Sequence, residues 1–173
     1  MKRALGLATT ITLVGLLVGA PAVSADQKSP VTITENAKVV VTGSIIAPGA
    51  GAGFSPGFCY GLLNPAYSHK CDELSVKVVP PMWSRTHPAY KYALKATLAW
   101  QGSATVPTTM AVGIWDSNGT KLGCAGDCTR GQTDGPNPAS LTVPRAVGKY
   151  DVVVDLRTGA NQPYTLTLAW IRL

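Results

Sequence analysis

The stretch YKYALKATLAW, from Tyr90 to Trp100, decides the fold. Its apolar and polar side chains alternate with a period of two, which is typical of a β-strand that buries one face. The polar positions, among them Lys91 and Lys95, are predicted to face solvent. The side chains predicted to face the core are Tyr92, Leu94, Leu98 and Trp100.

The same alternation recurs along the chain, and no stretch after Ala25 shows a sustained helical period. Turn residues separate the segments, such as Asp116 to Gly119, where Asn and Gly tolerate positive φ. The sequence therefore predicts an all-β protein without helices, an antiparallel β-sandwich of about seven to eight strands. The predicted strands are Lys38 to Thr42, Glu73 to Val79, Tyr90 to Trp100, Met110 to Asp116, Thr120 to Gly123, Ala139 to Val143, Lys149 to Arg157 and Gln162 to Leu173.

Residues 1–25 have the three parts of a secretory signal peptide. Lys2 and Arg3 precede an uncharged apolar run, and Val23-Ser24-Ala25 presents small residues where signal peptidase cleaves. The alternative is a membrane anchor, but the run is shorter than the ~20 apolar residues of a spanning helix. We expect a secreted, extracellular protein whose single domain covers residues 26–173.

All four cysteines, Cys59, Cys71, Cys124 and Cys128, lie in the part predicted to be exported. An even number of cysteines in an exported chain predicts disulfides, here two. Three pairings are possible, and proximity along the chain favours Cys59–Cys71 and Cys124–Cys128. The alternative, a zinc site, is disfavoured because the paired C-x-x-C spacing of structural zinc is missing.

The segments CDELSVKV, YALKATLAW, MAVGIWDSNGTKL, ASLTVPRAVGKYDVVVDL and PYTLTLAW follow one another in an order that resembles the bacterial pre-peptidase C-terminal domain and related jelly-roll modules of secreted proteins. The resemblance implies a jelly-roll-like sandwich and a non-catalytic accessory role. In that family the central strand carries two aspartates suited to calcium. The matching positions here are Thr109 and Ala111, which have no carboxylate. Calcium needs several oxygen ligands, and Asp116 is the one carboxylate nearby, so family-type calcium binding is disfavoured. We expect no cofactor, with calcium as the alternative.

The charge of the chain is mildly positive. Loss of Lys2 and Arg3 with the signal peptide lowers the formal net charge from +6 to +4. The remaining basic residues are scattered along the sequence, without the dense basic stripe of a nucleic-acid-binding protein. The excess favours a negatively charged cell surface or polymer as partner, and not a nucleic acid.

One stretch matches the hydrolase pattern G-x-S-x-G, from Gly53 to Gly57, and Asp72 and His87 follow it. The oxyanion hole of such enzymes uses the backbone N–H after the serine, but Pro56 has none. A glycine- and proline-rich surface loop is the simpler interpretation. We therefore expect no enzymatic activity; a hydrolase that uses Ser55 and His87 is the least favoured alternative.

Trp115 is out of phase with Val112 and Ile114, so its ring is predicted to lie on the sheet face that points away from the core. An exposed aromatic ring there can stack on a sugar or anchor a protein. The simpler alternative is that the Cys124–Cys128 loop covers it. The candidate ligand-binding residues are Trp115, Asp116 and Asn118, next to the loop Cys124 to Asp134.

Together these features predict a secreted, non-catalytic binding module for an extracellular glycan or protein. A structural protein that self-assembles through exposed strand edges is the alternative.

Overall fold

The computed structural model describes residues 22–24, 30–45, 71–87, 91–102, 107–128, 137–159 and 162–173. Within these ranges the chain forms ten strands and one short helix, α1 (Met82–Thr86). The strands are β1 (Ala22–Ser24), β2 (Val31–Ile33), β3 (Lys38–Ile45), β4 (Cys71–Val78), β5 (Tyr92–Trp100), β6 (Thr109–Asp116), β7 (Lys121–Gly126), β8 (Ala139–Pro144), β9 (Gly148–Thr158) and β10 (Gln162–Arg172).

The strands form two five-stranded sheets. Sheet A has the order β1-β3-β10-β5-β8, and sheet B has the order β2-β4-β9-β6-β7. The three-residue strands β1 and β2 pair in parallel with β3 and β4, while the other pairings are antiparallel. The remaining eight strands have the order of a two-sheet jelly roll. The predicted class, an all-β sandwich of jelly-roll type, is confirmed.

The core lies between the sheets and consists of the side chains that alternate inward along each long strand. The core residues predicted for β5 are all buried there. At one end of the core, Tyr92 stacks on Trp170, with ring centroids 5.7 Å apart and planes inclined by 10°. Period-two alternation therefore assigned these side chains to the correct face of the sheet.

Three elements differ from the predicted strands. β2 is too short to show an alternating pattern, and it adds an edge to sheet B. Helix α1 contradicts the prediction that the chain has no helix; with five residues it is too short to produce a helical period. β1 lies within the predicted signal peptide, where its backbone pairs with residues 40–42 of β3.

The connections between strands gather at two ends of the sandwich. The β2–β3 turn, the segment between β4 and β5 that contains α1, the β6–β7 turn and the β8–β9 turn share one end, which we call the α1 end. The C-terminal residues of β10 also lie there. The β5–β6 and β9–β10 connections lie at the opposite end, beside residues 126–128. This division determines which surface residues can act together.

Candidate binding surface

The indole of Trp115 is buried, with 2 % of its surface exposed. It lies on the face of sheet B that points away from the core, as its phase predicts, and it clusters there with Cys71 and Val153. The Nζ of Lys121 lies 6.0 Å from the ring centroid. A ligand cannot stack on the ring of Trp115 in this position. The burial of the ring agrees with the alternative that Trp115 is covered. The ring thus has neighbours on β4 (Cys71), β7 (Lys121) and β9 (Val153).

Asp116 and Asn118 form the turn between β6 and β7. One carboxylate oxygen of Asp116 accepts hydrogen bonds from the backbone N–H of Asn118 at 2.9 Å and of Thr120 at 2.8 Å. Gly119 completes the turn with a φ of +78°. Asp116 therefore has a structural role in the turn, whereas the side chain of Asn118 is exposed. Whether this turn contacts a ligand remains a prediction.

A cluster of exposed apolar side chains lies at the α1 end. Six large apolar side chains of the described residues are exposed; five of them lie outside the strands at this end, and the sixth, Leu122, lies within β7. We call these five residues the apolar end: Val79, Met82, Trp83, Val147 and Leu173. They come from three separate segments of the chain, so the clustering exists only in the folded protein.

Helix α1 places the two most prominent members of the apolar end. Pro81 precedes the helix with extended φ and ψ, and its carbonyl oxygen accepts hydrogen bonds from both the N–H and the hydroxyl of Ser84. Ser84 is buried, which fixes the inner side of this single turn. Met82 is then 86 % exposed and Trp83 42 % exposed.

Residues that follow Trp83 in the chain hold it in position. The backbone oxygen of Trp83 lies 2.9 Å from the hydroxyl of Thr86 and 2.8 Å from Nδ1 of His87. The imidazole of His87 also contacts the edge of the indole ring, with centroids 6.1 Å apart and planes at 74°. Thus His87 supports Trp83, and its Nδ1 also lies 3.0 Å from the hydroxyl of Thr86. Ser55, its proposed partner, lies outside the described residues.

Basic side chains surround the apolar end. We call the exposed members of this group the basic rim: Lys38, Lys77, Lys91, Arg145, Lys149 and Arg172. Glu35 and Asp116 are the acidic residues of the turns at this end, and each is partly buried. The lysines and arginines look scattered in the sequence, but the jelly roll brings them together around one apolar surface. Such a surface attracts negatively charged partners.

The opposite end of sheet B has a buried polar cluster. Arg157 donates from Nη1 to Oδ2 of Asp155 at 2.9 Å and from Nε to the backbone oxygen of Asp127 at 3.0 Å. The hydroxyl of Thr109 donates to Oδ2 of Asp127 at 2.8 Å and lies 3.0 Å from the hydroxyl of Thr158. The other oxygen of Asp127, Oδ1, is buried without a hydrogen-bond partner in the described residues. Arginine and two carboxylates are therefore held in one desolvated group.

Burial raises the pKa of Asp155 to about 6, against the opposing effect of the Arg157 guanidinium. The nearby carboxylate of Asp127 raises it further. Alternation along the predicted strand Lys149 to Arg157 puts Asp151, Asp155 and Arg157 on the outward face, which predicts a solvated surface. This prediction is wrong for Asp155, which is 7 % exposed. Alternation predicted the face correctly but could not show that this part of the face is shielded from water.

The positions that match the calcium aspartates of the resembled family lie beside this cluster. Thr109 is buried and uses its hydroxyl for Asp127 and Thr158, while Ala111 is fully buried. In the described ranges, no three His, Cys, Asp or Glu side chains are grouped as metal ligands. The polar cluster is arranged around the guanidinium of Arg157.

The disulfide Cys124–Cys128 is present, with Cα atoms 6.0 Å apart, as predicted. Cys71 is also disulfide-bonded. Its predicted partner, Cys59, lies outside the described residues, as does most of the loop that follows Cys128. The observed bridge closes a five-residue ring that contains Asp127, and so connects the polar cluster to β7.

A shallow groove of about 230 Å³ lies at the opposite end of sheet A. It is lined by Ala99, Trp100, Gln101, Pro163, Tyr164 and Thr165. None of these side chains is charged, so the groove offers little chemistry beyond weak hydrogen bonding.

Comparison with protein-family models found no match, and comparison with curated proteins found none of significance. Neither comparison identifies a pre-peptidase C-terminal domain, so that resemblance remains an interpretation of the sequence segments. No helix in the described ranges is both long enough and apolar enough to cross a bilayer. The surface chemistry of the fold is therefore the basis for assigning a function.

Sequence reasoning did not find the apolar end. The available signal was Pro80-Pro81 followed directly by Met82 and Trp83, two large apolar residues outside any alternating strand. Prolines that end a strand before an unpatterned Met-Trp pair indicate that the pair lies outside the sheets, where helix α1 is found. The convergence of Val147 and Leu173 on the same place depends on the topology and had no local signal.

Proposed function

We propose that this chain is a secreted, non-catalytic β-sandwich module that binds a negatively charged surface at the cell exterior through its apolar end. The observation that carries the proposal is the grouping of five exposed apolar side chains inside the basic rim. The signal peptide predicted for residues 1–25 supports export. The site differs from the one expected around Trp115, because that ring is buried.

Exposed apolar side chains scattered singly are normal on a soluble protein, but a contiguous group indicates an interaction site. Trp and Met are among the residues enriched in binding interfaces. Fully burying a side chain of this size stabilises a complex by about 1.5–3 kcal/mol. Two or three of them account for a useful part of a micromolar affinity, about 8 kcal/mol.

The charge distribution supports a polyanionic partner. The exposed basic residues lie at the α1 end, where the acidic residues described are Glu35, Asp116 and Asp151. Asp72, Glu73, Asp127 and Asp155 lie toward the opposite end, where Arg157 is the basic residue described. The described residues are therefore polarised along the sandwich. In the field of an anionic surface, the molecule is turned with the apolar end towards that surface.

The test is binding of the exported protein, purified from culture medium, to washed bacterial envelopes at low and high salt. We expect binding that salt weakens. Replacement of Lys91 and Lys149 by glutamine is expected to weaken it by about tenfold or more, because each exposed charge near an anionic surface contributes about 1 kcal/mol.

The matched control is the double replacement Ser140→Glu and Thr165→Glu. It changes the net charge by the same amount, but on exposed positions of sheet A far from the rim. We expect its binding to stay near that of the unmodified protein. Equal loss in both variants would show that net charge alone matters, and absence of binding to any envelope would contradict the proposed function.

A further inference from the structure

We infer that the surface on which the apolar end docks is an anionic lipid bilayer, with Met82 and Trp83 inserted at the level of the headgroups. This inference rests on the proposed function and names its partner. Its basis is the kind of side chain exposed, the way each one is presented, and the position of the basic rim around them.

The exposed apolar residues are mostly aliphatic. Val79, Met82, Val147 and Leu173 offer no hydrogen bonds, and only Trp83 has a ring that could stack on a sugar. A polyanionic glycan presents hydroxyl and charged groups, which gain nothing from methyl groups or a thioether. The boundary between headgroups and acyl chains accommodates such side chains, and indole rings are enriched there.

The shape of the surface also fits a bilayer. Met82 and Trp83 are on the outward side of a single helical turn whose inner side is fixed by buried Ser84. Val147 is exposed in the β8–β9 turn, and Leu173 is exposed directly after β10. The four side chains therefore lie outside the strands at one end of the sandwich, where a flat surface can meet them together.

The basic rim supplies charge complementarity. Its lysine and arginine side chains have long aliphatic stems, which lie along apolar surface while the charged groups stay in water. When the apolar end is shallowly inserted, the charged groups of the rim meet lipid phosphates. Each of them contributes to attraction by an anionic leaflet. The acidic residues described in this half of the sandwich, Glu35, Asp116 and Asp151, are three against the six basic residues of the rim, so positive charge predominates there.

The experiment uses the exported protein with vesicles of phosphatidylcholine alone and with vesicles that also contain phosphatidylglycerol. We expect co-sedimentation with the anionic vesicles and little with the neutral ones. Binding is expected to fall as salt rises, because exposed charges are screened. Equal binding to both kinds of vesicle would overturn the role of the rim and, with it, the inference.

Replacement of Met82 and Trp83 by serine tests insertion. We expect the affinity for anionic vesicles to fall about tenfold or more, since the variant loses most of the apolar surface that can be buried. The matched control is Leu122→Ser, because Leu122 is as exposed as Trp83, at 42 %, but belongs to β7 and not to the apolar end. A loss of the same size in the control, or none in the double variant, would overturn the inference. Circular dichroism of each variant confirms that it is folded.

The outcomes for the two proposals are distinguishable. If envelopes bind the protein in a salt-sensitive way but anionic vesicles do not, the partner is a glycan or protein, and the bilayer is wrong while the proposed function stands. If light scattering shows a dimer that Met82→Ser and Trp83→Ser dissociate, a second copy occupies the apolar end, and the bilayer is again wrong. If neither envelopes nor vesicles bind, both proposals fail.

Discussion

Arg157 donates a hydrogen bond to Asp155 at 2.9 Å, although both side chains lie on the sheet face that points away from the core. Their side chains are only 13 % and 9 % exposed. A buried ion pair of this kind contributes little net stability, because the free-energy cost of removing both charges from water is about as large as their mutual attraction. Its main consequence is a carboxyl group that titrates near neutral pH.

The first prediction is a pH-dependent stability that Asp155 causes. Its pKa is raised from 3.8 to about 6 by burial, so the folded protein binds this proton more tightly than the unfolded chain. The stabilisation is complete below the ordinary pKa and is lost as pH rises through about 6. Over this range Asp155 reduces the free energy of unfolding by at most about 3 kcal/mol.

The comparison is with Asp155→Asn, which cannot titrate. Denaturant unfolding at several pH values gives the free energy of unfolding of both proteins, and their difference isolates Asp155 from the other carboxyl groups. We expect the unmodified protein to lose stability relative to the variant between about pH 4 and 6. A difference that stays constant, or that grows in favour of the unmodified protein, would show that the pKa is not raised.

The second prediction contrasts two tryptophans. Trp115 is 2 % exposed, and Trp115→Ala is expected to lower the free energy of unfolding by about 3–5 kcal/mol because it leaves a large cavity. Trp83 is 42 % exposed, and Trp83→Ala is expected to cost less than about 1 kcal/mol. Chemical denaturation followed by circular dichroism measures both. Similar losses in the two variants would mean that Trp83 is packed like a core residue, which its role at the apolar end excludes.

The sequence predicted the strands well, because each of the long strands buries one face and so shows period-two alternation. Alternation along Lys149 to Arg157 puts Val152 and Val154 of β9 inward, and both are buried. Alternation also put Val153 and Asp155 on the outer face, but periodicity does not reveal whether an outer face is covered. Val153 is fully buried there, so the solvated surface expected around Asp155 was wrong.

The candidate site could not be predicted for a related reason. Trp115 was distinguished by being out of phase, and a residue out of phase is equally consistent with an exposed ring and with a second buried layer. The apolar end requires Trp83, Val147 and Leu173 to meet, and they are far apart in the sequence. Only the jelly-roll order of the strands brings them to one end, and this order depends on pairing between distant segments.

The third prediction concerns the Cys124–Cys128 bridge. Its ring spans a sequence separation of only 4, so the loop-entropy model gives a stabilisation of about 2 kcal/mol. Replacing both cysteines by serine is expected to lower the free energy of unfolding by that amount. The single variant Cys124→Ser should release one thiol, and alkylation with peptide mapping should locate it at Cys128. Release of the thiol of Cys71 instead would show a different pairing.

The fourth prediction follows from the backbone beside that bridge. Gly126 has a φ of +86°, and a Cβ added there would collide with the carbonyl oxygen of Met110. The same oxygen accepts the backbone N–H of Asp127 at 3.0 Å. Gly126→Ala is therefore expected to lower the free energy of unfolding by at least about 2 kcal/mol. The left-handed conformation is unfavourable for alanine, and the hydrogen bond from Asp127 to Met110 must lengthen or break.

Gly102→Ala is the matched control. A Cβ at Gly102 meets no atom within 4 Å, and its φ is outside the left-handed region, so the change should be neutral or stabilise by about 0.5 kcal/mol. If moving the 126–128 backbone also displaces Asp127 from Arg157, the pH dependence attributed to Asp155 should change in Gly126→Ala and stay intact in Gly102→Ala. If the Gly126→Ala variant proves as stable as the control, this turn adjusts freely and the polar cluster does not depend on it.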